Sequence, residues 1–505
     1  MRALRDHWFA LLAVAAGLIR LPRPAAWWYD ESFTVWVARL DWTRLVEATR
    51  GDVHPPLFYA LEWLIMRVPG ATETALRLIP AVASFMGLLV LRRVARHLRL
   101  AVPVQVVGLG LMAVSGWQLY YAQEARAYSL MQLGYLVGVL AVLERRWWLL
   151  LLSFVGLLYT HNYGLIYSAV LGVWALAREL RRPVHAVIDL PWFPQLEVEA
   201  NLKAPILAGV AAIGIYAPWF IWATLPQMGE FTDHWIWPPT LADVTATLLG
   251  FVFGQVDSVM WTLLVAVAGI ALFLFVIYRL FSDRERPSTL LYLAAAPFVL
   301  AVALSYAWEP LFLGRALIGA AGPVYLLIGW ALTHHVPVTS RAWAATMLIP
   351  IVVLTSPGDQ MRDRAAQRFQ ARAVAEHIIS NWQQGDVVYH LNVYSLVEME
   401  QYLHERTGYM LPVQGDGLKS GGLTKRTRVA MGIHPHEAVL SDVQHKRAWL
   451  IVIDGPGLHQ TPERDALLSS YLWREELRLF DRQKFNRVEV YLLWQESEGA
   501  KSSAP

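Results

Sequence analysis

Long uninterrupted apolar runs dominate the first two thirds of the chain. They fall near residues 8–21, 76–92, 103–119, 128–143, 147–160, 163–178, 205–225, 258–280, 289–307, 314–333 and 342–357. Each approaches the roughly 18 apolar residues expected of a bilayer-crossing helix, so about 11 transmembrane helices are predicted. The basic residues flanking these runs give them a direction. Arg2 and Arg5 precede the first run; Arg92, Arg93, Arg96 and Arg99 follow the second, Arg145 and Arg146 the fourth, Arg178, Arg181 and Arg182 the sixth, and Arg279, Arg284 and Arg286 the eighth. On alternating helices all of these share one side, which the positive-inside rule assigns to the cytoplasm, together with the N-terminus. The opposite, extracytoplasmic side then carries the loop 22–75, the junctions at 120–127 and 160–162, the loop 226–257, the junction 308–315 and the chain beyond 357. The first run also has the shape of a signal peptide, but Pro24-Ala25-Ala26 is a poor cleavage site, so it is read as an uncleaved helix.

From Gly358 the pattern changes to alternating short elements. Arg362–Trp382, Leu396–Arg406 and Pro462–Leu477 read as helices; Val387–Leu391, Arg428–Ile433, Ala448–Ile453 and Val488–Trp494 read as strands. Two domains follow: a transmembrane domain, 1–357, whose outer loop 22–75 holds amphipathic helices, and a soluble α/β domain, 358–505. The Gly-rich stretch Gly415–Gly422 lacks the Lys-Ser or Lys-Thr of a phosphate loop and reads as a plain loop.

Composition agrees with this division. Hydrophobic residues make up 56% of the 505 and charged residues 16%, which excludes disorder and an ordinary soluble enzyme. Of the 83 charged residues (43 basic plus 40 acidic), 37 lie in 358–505. That region balances 18 basic against 19 acidic side chains with no basic stripe, so nucleic acid is not indicated. With no cysteine, disulfides and thiolate metal sites are excluded.

Five polar clusters interrupt the apolar body, all on the expected outer side: Trp27-Trp28-Tyr29-Asp30-Glu31, Asp52-Val53-His54-Pro55-Pro56-Leu57-Phe58-Tyr59, Tyr120 to Tyr128 with Glu124 and Arg126, Thr160-His161-Asn162-Tyr163, and Trp308-Glu309-Pro310 with Arg315. Ionisable groups at membrane depth are costly unless paired or used. Each cluster also has a structural reading. Asp30 suits a helix cap before the amphipathic stretch Ser32–Arg50, His54 sits at a Pro-opened helix start, and Glu124 with Arg126 suits a structural ion pair. Spacing alone leaves these alternatives open.

Taken in order, Asp30-Glu31, His54-Pro55-Pro56-Leu57, Arg77-Leu78-Ile79-Pro80, Gln123-Glu124-Ala125-Arg126-Ala127-Tyr128 and Thr160-His161-Asn162-Tyr163 resemble the bacterial branch of the dolichyl-phosphate-mannose-protein mannosyltransferase-like family, glycosyltransferase family 39, over residues 1–330. Ala316 departs from it, since such proteins often place Tyr after the Arg. The resemblance implies a GT-C fold in a bacterial cytoplasmic membrane and transfer of a sugar from a polyprenyl-phosphate donor to an extracytoplasmic protein, lipid or glycan acceptor. It makes Asp30 the catalytic carboxylate and Glu31 its support. Arg126 and Arg315 hold the lipid phosphate, and Glu124, Tyr128, His54 and His161 complete the donor site.

The chemistry of these residue types is consistent with that assignment. Phosphate is a good leaving group that needs charge stabilisation, which a guanidinium fork supplies. The acceptor hydroxyl needs one base opposite the leaving group, which predicts inversion at C1. No cofactor is required. His54 and His161 with Asp30 or Glu31 are ligand types for a divalent metal, but no i, i+4 pair indicates one. The rival class is a lipid or polysaccharide transporter or flippase with a soluble accessory domain. Such proteins favour internal repeats and polar sites near mid-membrane, and neither is evident here.

Overall fold

A computed structural model describes residues 7–22, 27–52, 54–70, 72–181, 202–230, 236–254, 259–337, 339, 352, 370–390, 393–403, 408–410, 423–433, 447–453, 477–485 and 488–495. By packing, the chain divides into one unit of Met1–Arg23 with Val53–Met361 and another of Pro24–Asp52 with Arg362–Pro505. The segment Pro24–Asp52, placed in the first domain by sequence, therefore packs with the C-terminal residues.

The first unit is a bundle of apolar helices at the expected positions, from His7–Ile19 to Gly314–Thr333. The expected span 342–357 lies outside the described residues apart from Val352. Among the described residues, five helices are long and apolar enough to cross a membrane, or six if the bent pair Val102–Val114 and Gly116–Ala122 is one span. The shorter apolar helices include Tyr128–Glu144 and Trp147–Thr160. Gly314–Thr333 is almost wholly buried, whereas Thr262–Ser282 exposes most of its apolar surface. The first therefore forms the bundle core and the second has the character of a lipid-facing helix.

Glycines allow the core helices to meet closely. A Cβ on Gly329 would lie 2.5 Å from the Val104 carbonyl oxygen, and one on Gly108 would lie 3.0 Å from that of Tyr325. These contacts set Val102–Val114 antiparallel to Ala321–Thr333. The 49° bend in the pair falls at Ser115, whose backbone (ψ 132°) leaves the helical region. Its Oγ donates to the Phe251 carbonyl at 2.5 Å, which satisfies a hydroxyl that the bend turns aside.

One end of the bundle gathers basic side chains around two acids. Glu144 takes Arg93 (2.5 Å), His97 (2.8 Å) and Arg146 (3.1 Å), and Glu179 takes Arg145 (2.8 Å). The antiparallel pairing brings Arg279 and His334 to that same end, where Arg279 donates to the His334 carbonyl at 2.8 Å.

The second unit contains a five-stranded sheet: β1 (Val387–His390), β2 (Gly408–Met410), β3 (Arg447–Ile453), β4 (Leu477–Phe485) and β5 (Val488–Gln495). Its order is β2-β1-β3-β5-β4, with β1 parallel to β2 and β3, and with β5 antiparallel to β3 and β4. Helices Ala371–Ser380 and Val393–Leu403 accompany it, and the second packs against Tyr29–Arg39. The expected strand Arg428–Ile433 is instead the end of a helix, Lys425–Met431. Thr424 accepts from the Thr427 N–H at 3.2 Å, Gly432 closes the helix at φ +79°, and these caps override the local β-branched residues. The Thr427 hydroxyl also donates to the Ala48 carbonyl at 3.0 Å, which ties this helix to Trp42–Arg50. Strands β2 and β4 are not among the elements expected from sequence. The expected helix Pro462–Leu477 and the loop Gly415–Gly422 lie outside the described residues except for Leu477, which starts β4 and is not helical.

Candidate functional site

The end of the first unit opposite the Glu144 cluster is built from turns between helices. His54 precedes the helix Leu57–Met66, one turn ahead of Tyr59. Residues 123–127 link Gly116–Ala122 to Tyr128–Glu144, and the Arg126 N–H donates to the Glu124 carbonyl at 2.7 Å, folding this link tightly. His161 stops the helix Trp147–Thr160 with an extended backbone (φ −161°, ψ 146°). Arg315 lies in the 3₁₀ stretch Gly314–Ala320. Tyr163 and Tyr167, at the start of the helix Gly164–Leu180, hold that stretch and the residues just before it in place. Tyr163 OH donates to the Leu311 carbonyl (2.5 Å) and accepts the Leu313 N–H (2.7 Å), and Tyr167 OH donates to the Ala316 carbonyl (2.8 Å).

These turns bring the buried Glu124, Arg126, Tyr128 and His161 together with the half-buried His54 and Arg315 in one neighbourhood. Arg126 Nη1 donates to Tyr59 OH at 3.2 Å and Nη2 to His54 Nε2 at 3.2 Å, which leaves the His54 proton on Nδ1. The His54 and His161 rings meet edge-on with centroids 4.8 Å apart, the Tyr128 ring lies 5.9 Å from His161, and Arg315 Cζ lies 5.8 Å from the Tyr128 ring centroid. His161 Nδ1 accepts the Tyr163 N–H at 3.1 Å, so Nε2 carries the ring proton; among the described residues that Nε2 has no hydrogen-bond partner. Burial, and then the nearby His54, Arg126 and Arg315, hold the His161 imidazole well below its ordinary pKa. It is therefore a neutral donor near neutral pH. Two guanidiniums and a neutral imidazole donor, with Arg126 and His161 each only 6% exposed, form a set suited to an anion. Tyr59 ends the second polar cluster of the sequence, where spacing gives it no role of its own; in the structure it is the hydroxyl partner of Arg126.

Asp30 and Glu31 belong to the second unit. The helix there begins at Tyr29 with Trp28 as its N-cap, so Asp30 is a first-turn residue and not the helix cap that its structural reading offers. Carboxylates are favoured at that position by the helix dipole. The expected amphipathic stretch Ser32–Arg50 is two helices, Tyr29–Arg39 and Trp42–Arg50, the second capped by Asp41, which accepts the Arg44 N–H at 3.0 Å. Glu31 is fully buried. The Tyr29 and Tyr394 rings lie 4.5 Å apart, and the Trp27 N–H donates to Tyr402 OH at 2.9 Å. The Tyr29 phenol is pushed well up by burial and then by Tyr394, Asp30, Asp52 and Glu398, and the Tyr394 phenol is raised by burial and then by Asp30. Three carboxylates thus act electrostatically on one half-buried tyrosine, two of them (Asp52 and Glu398) not expected from sequence beside Asp30.

No protein-family model and no curated protein matches the sequence. Among solved structures, the chain is similar to ArnT from Cupriavidus metallidurans in the apo state and to the same protein bound to undecaprenyl phosphate, each at TM-score 0.56 and 14% identity, covering 96% of this chain and 98% of that one. A weaker likeness, at TM-score 0.45 and 12% identity, is to the apo oligosaccharyltransferase of Archaeoglobus fulgidus, covering 89% of this chain and 70% of that one. The chain is an α-helical polytopic membrane protein with the GT-C fold that it shares with ArnT, and its C-terminal part carries a small sheet.

Proposed function

We propose that the protein is a membrane glycosyltransferase of the bacterial inner membrane. It moves a sugar from a polyprenyl-phosphate donor to an extracytoplasmic acceptor. The observation that carries this reading is the donor set of the buried Arg126 and His161 with the half-buried Arg315, held with His54, Tyr128 and Glu124 at one end of a membrane bundle. A lipid phosphate needs such donors in a setting where water competes little. Further support comes from the shared fold, since one similar structure is ArnT bound to undecaprenyl phosphate. The ordered motifs of the sequence support family 39 within that fold. The basic end of the bundle supports a cytoplasmic assignment for that end.

In the proposed reaction the acceptor oxygen attacks C1 of the sugar as the C1–O bond to phosphate breaks, and C1 inverts. Asp30 takes the acceptor proton, and Glu31 supports Asp30 from its buried position in the same helical turn. Arg126 and Arg315 stabilise the departing polyprenyl phosphate, and the His161 Nε2–H donates to the same anion. The test is sugar transfer by the reconstituted protein with lipid-linked donors. Asp30→Asn is expected to lower transfer at least 100-fold while donor binding persists, in line with the usual worth of a general base; transfer at the wild-type rate removes Asp30 from that role.

A further inference from the structure

At the end of the bundle opposite Arg315, two polar turns meet. In the turn after the helix Val259–Ser282, Asp283 Oδ1 accepts the Glu285 N–H at 2.9 Å, and its Oδ2 accepts from Arg279 at 3.0 Å. In the turn after Ala321–Thr333, the His334 carbonyl is held by Arg279 at 2.8 Å, and Trp330 stacks on the His334 ring at 5.6 Å. His335 adopts φ +50°, a left-handed conformation that costs a non-glycine residue energy. The two imidazole centroids lie 4.0 Å apart. Both rings present Nε2 to one oxygen: Glu285 Oε2 lies 3.5 Å from His334 Nε2 and 3.6 Å from His335 Nε2, and the three ligand atoms all fall within 4.8 Å of one another. The first two separations are longer than a good hydrogen bond. They lie close to the roughly 3.3–3.4 Å between neighbouring ligands of a tetrahedral zinc whose bonds are near 2.0–2.1 Å. His334 Nε2 is shielded from solvent without a hydrogen-bond partner among the described residues, and Asp283 Oδ2 lies 4.0 Å from it.

We propose that His334, His335 and Glu285 bind a zinc-type divalent cation that clips together the ends of these two helices. Two imidazoles with one carboxylate suit a borderline cation, whereas magnesium and calcium prefer all-oxygen sites. Asp283 offsets the charge of Arg279 beside the site. His335 and Glu285 are 67% and 73% exposed at their side chains, so a cation reaches them directly from water and their replacement leaves the packing intact. The turns are built to hold His334 in place while His335 closes over the ion.

The test is zinc titration of the full, untagged chain in detergent, followed by calorimetry and by thermal melting. The wild type is expected to bind one zinc saturably in the micromolar range and to melt at higher temperature with zinc but not with magnesium. His335→Ala and Glu285→Gln, each melting like the wild type without zinc, are expected to weaken binding at least tenfold and to lose the thermal shift. Absence of saturable zinc binding by the wild type, or wild-type binding by either variant, overturns the proposal; a simple histidine–carboxylate ion pair predicts the first of these results.

Discussion

Replacing Arg126 by lysine keeps a positive charge in the candidate donor site but removes the fork. Arg126 uses two nitrogens at once, one on Tyr59 OH and one on His54 Nε2, each at 3.2 Å. A single ammonium on a flexible stem lacks the planar pair of donors that engages phosphate oxygens side by side. A hydrogen bond to a charged group is worth about 1.5–3 kcal/mol, so losing one arm of the fork weakens polyprenyl-phosphate binding roughly 10- to 150-fold. Tyr59→Phe removes only a neutral partner that orients the guanidinium, and is expected to cost about 1 kcal/mol, or roughly fivefold. The assay is equilibrium binding of polyprenyl phosphate to the purified chain in nanodiscs, with thermal melting run in parallel. A normally melting Arg126→Lys protein with the wild-type Kd would refute the placement of Arg126 at the phosphate.

Three other outcomes are expected. Gly329→Ala places a methyl 2.5 Å from the Val104 carbonyl oxygen and is expected to destabilise the bundle by about 1–3 kcal/mol, seen as a lower melting temperature; an unchanged melting temperature contradicts the close helix crossing. Burial holds the His390 imidazole down to about 3 in the folded chain, whereas an unfolded histidine titrates near 6.5. Between those values the unfolded state binds more protons, so stability falls as pH drops from about 6.5 toward 3, by up to about 1.4 kcal/mol per unit. Hydrogen exchange at β1 in the full chain follows this loss, and a pH-independent exchange free energy over that window contradicts it. Because the chain has no cysteine, single cysteines at Arg181 and at Ala307, both exposed, report topology cleanly. Impermeant reagents are expected to label Arg181→Cys from the cytoplasm and Ala307→Cys from outside, and labelling of both from one side contradicts the orientation.

The helices of the bundle were readable because a spanning helix must be apolar along its whole length, a signal that survives without knowledge of its neighbours. The bend at Ser115 was not, since it depends on the Phe251 carbonyl, distant in sequence, accepting the serine hydroxyl. Nor was the helix at Lys425–Met431, whose caps at Thr424 and Gly432 outweigh a β-branched local pattern. Sequence order picked out His54, Arg126, Tyr128, His161 and Arg315, and the folded turns bring them together. Their mutual hydrogen bonding, and the part played by Tyr59, depended on three-dimensional geometry. The break between Tyr29–Arg39 and Trp42–Arg50 has a sequence signal in hindsight, an Asp41 cap following Leu40, which a continuous amphipathic reading passed over.

The central claim is that the chain breaks the bond between sugar and lipid phosphate. It is tested most directly by incubating the protein, in liposomes carrying polyprenyl-phosphate sugars and an acceptor extract, and measuring both lipid species by mass spectrometry. A glycosyltransferase depletes one lipid-linked sugar and accumulates unglycosylated polyprenyl phosphate in equal amount. Movement of an intact lipid-linked sugar across the bilayer, with no polyprenyl phosphate released, contradicts the account and marks the protein as a transporter.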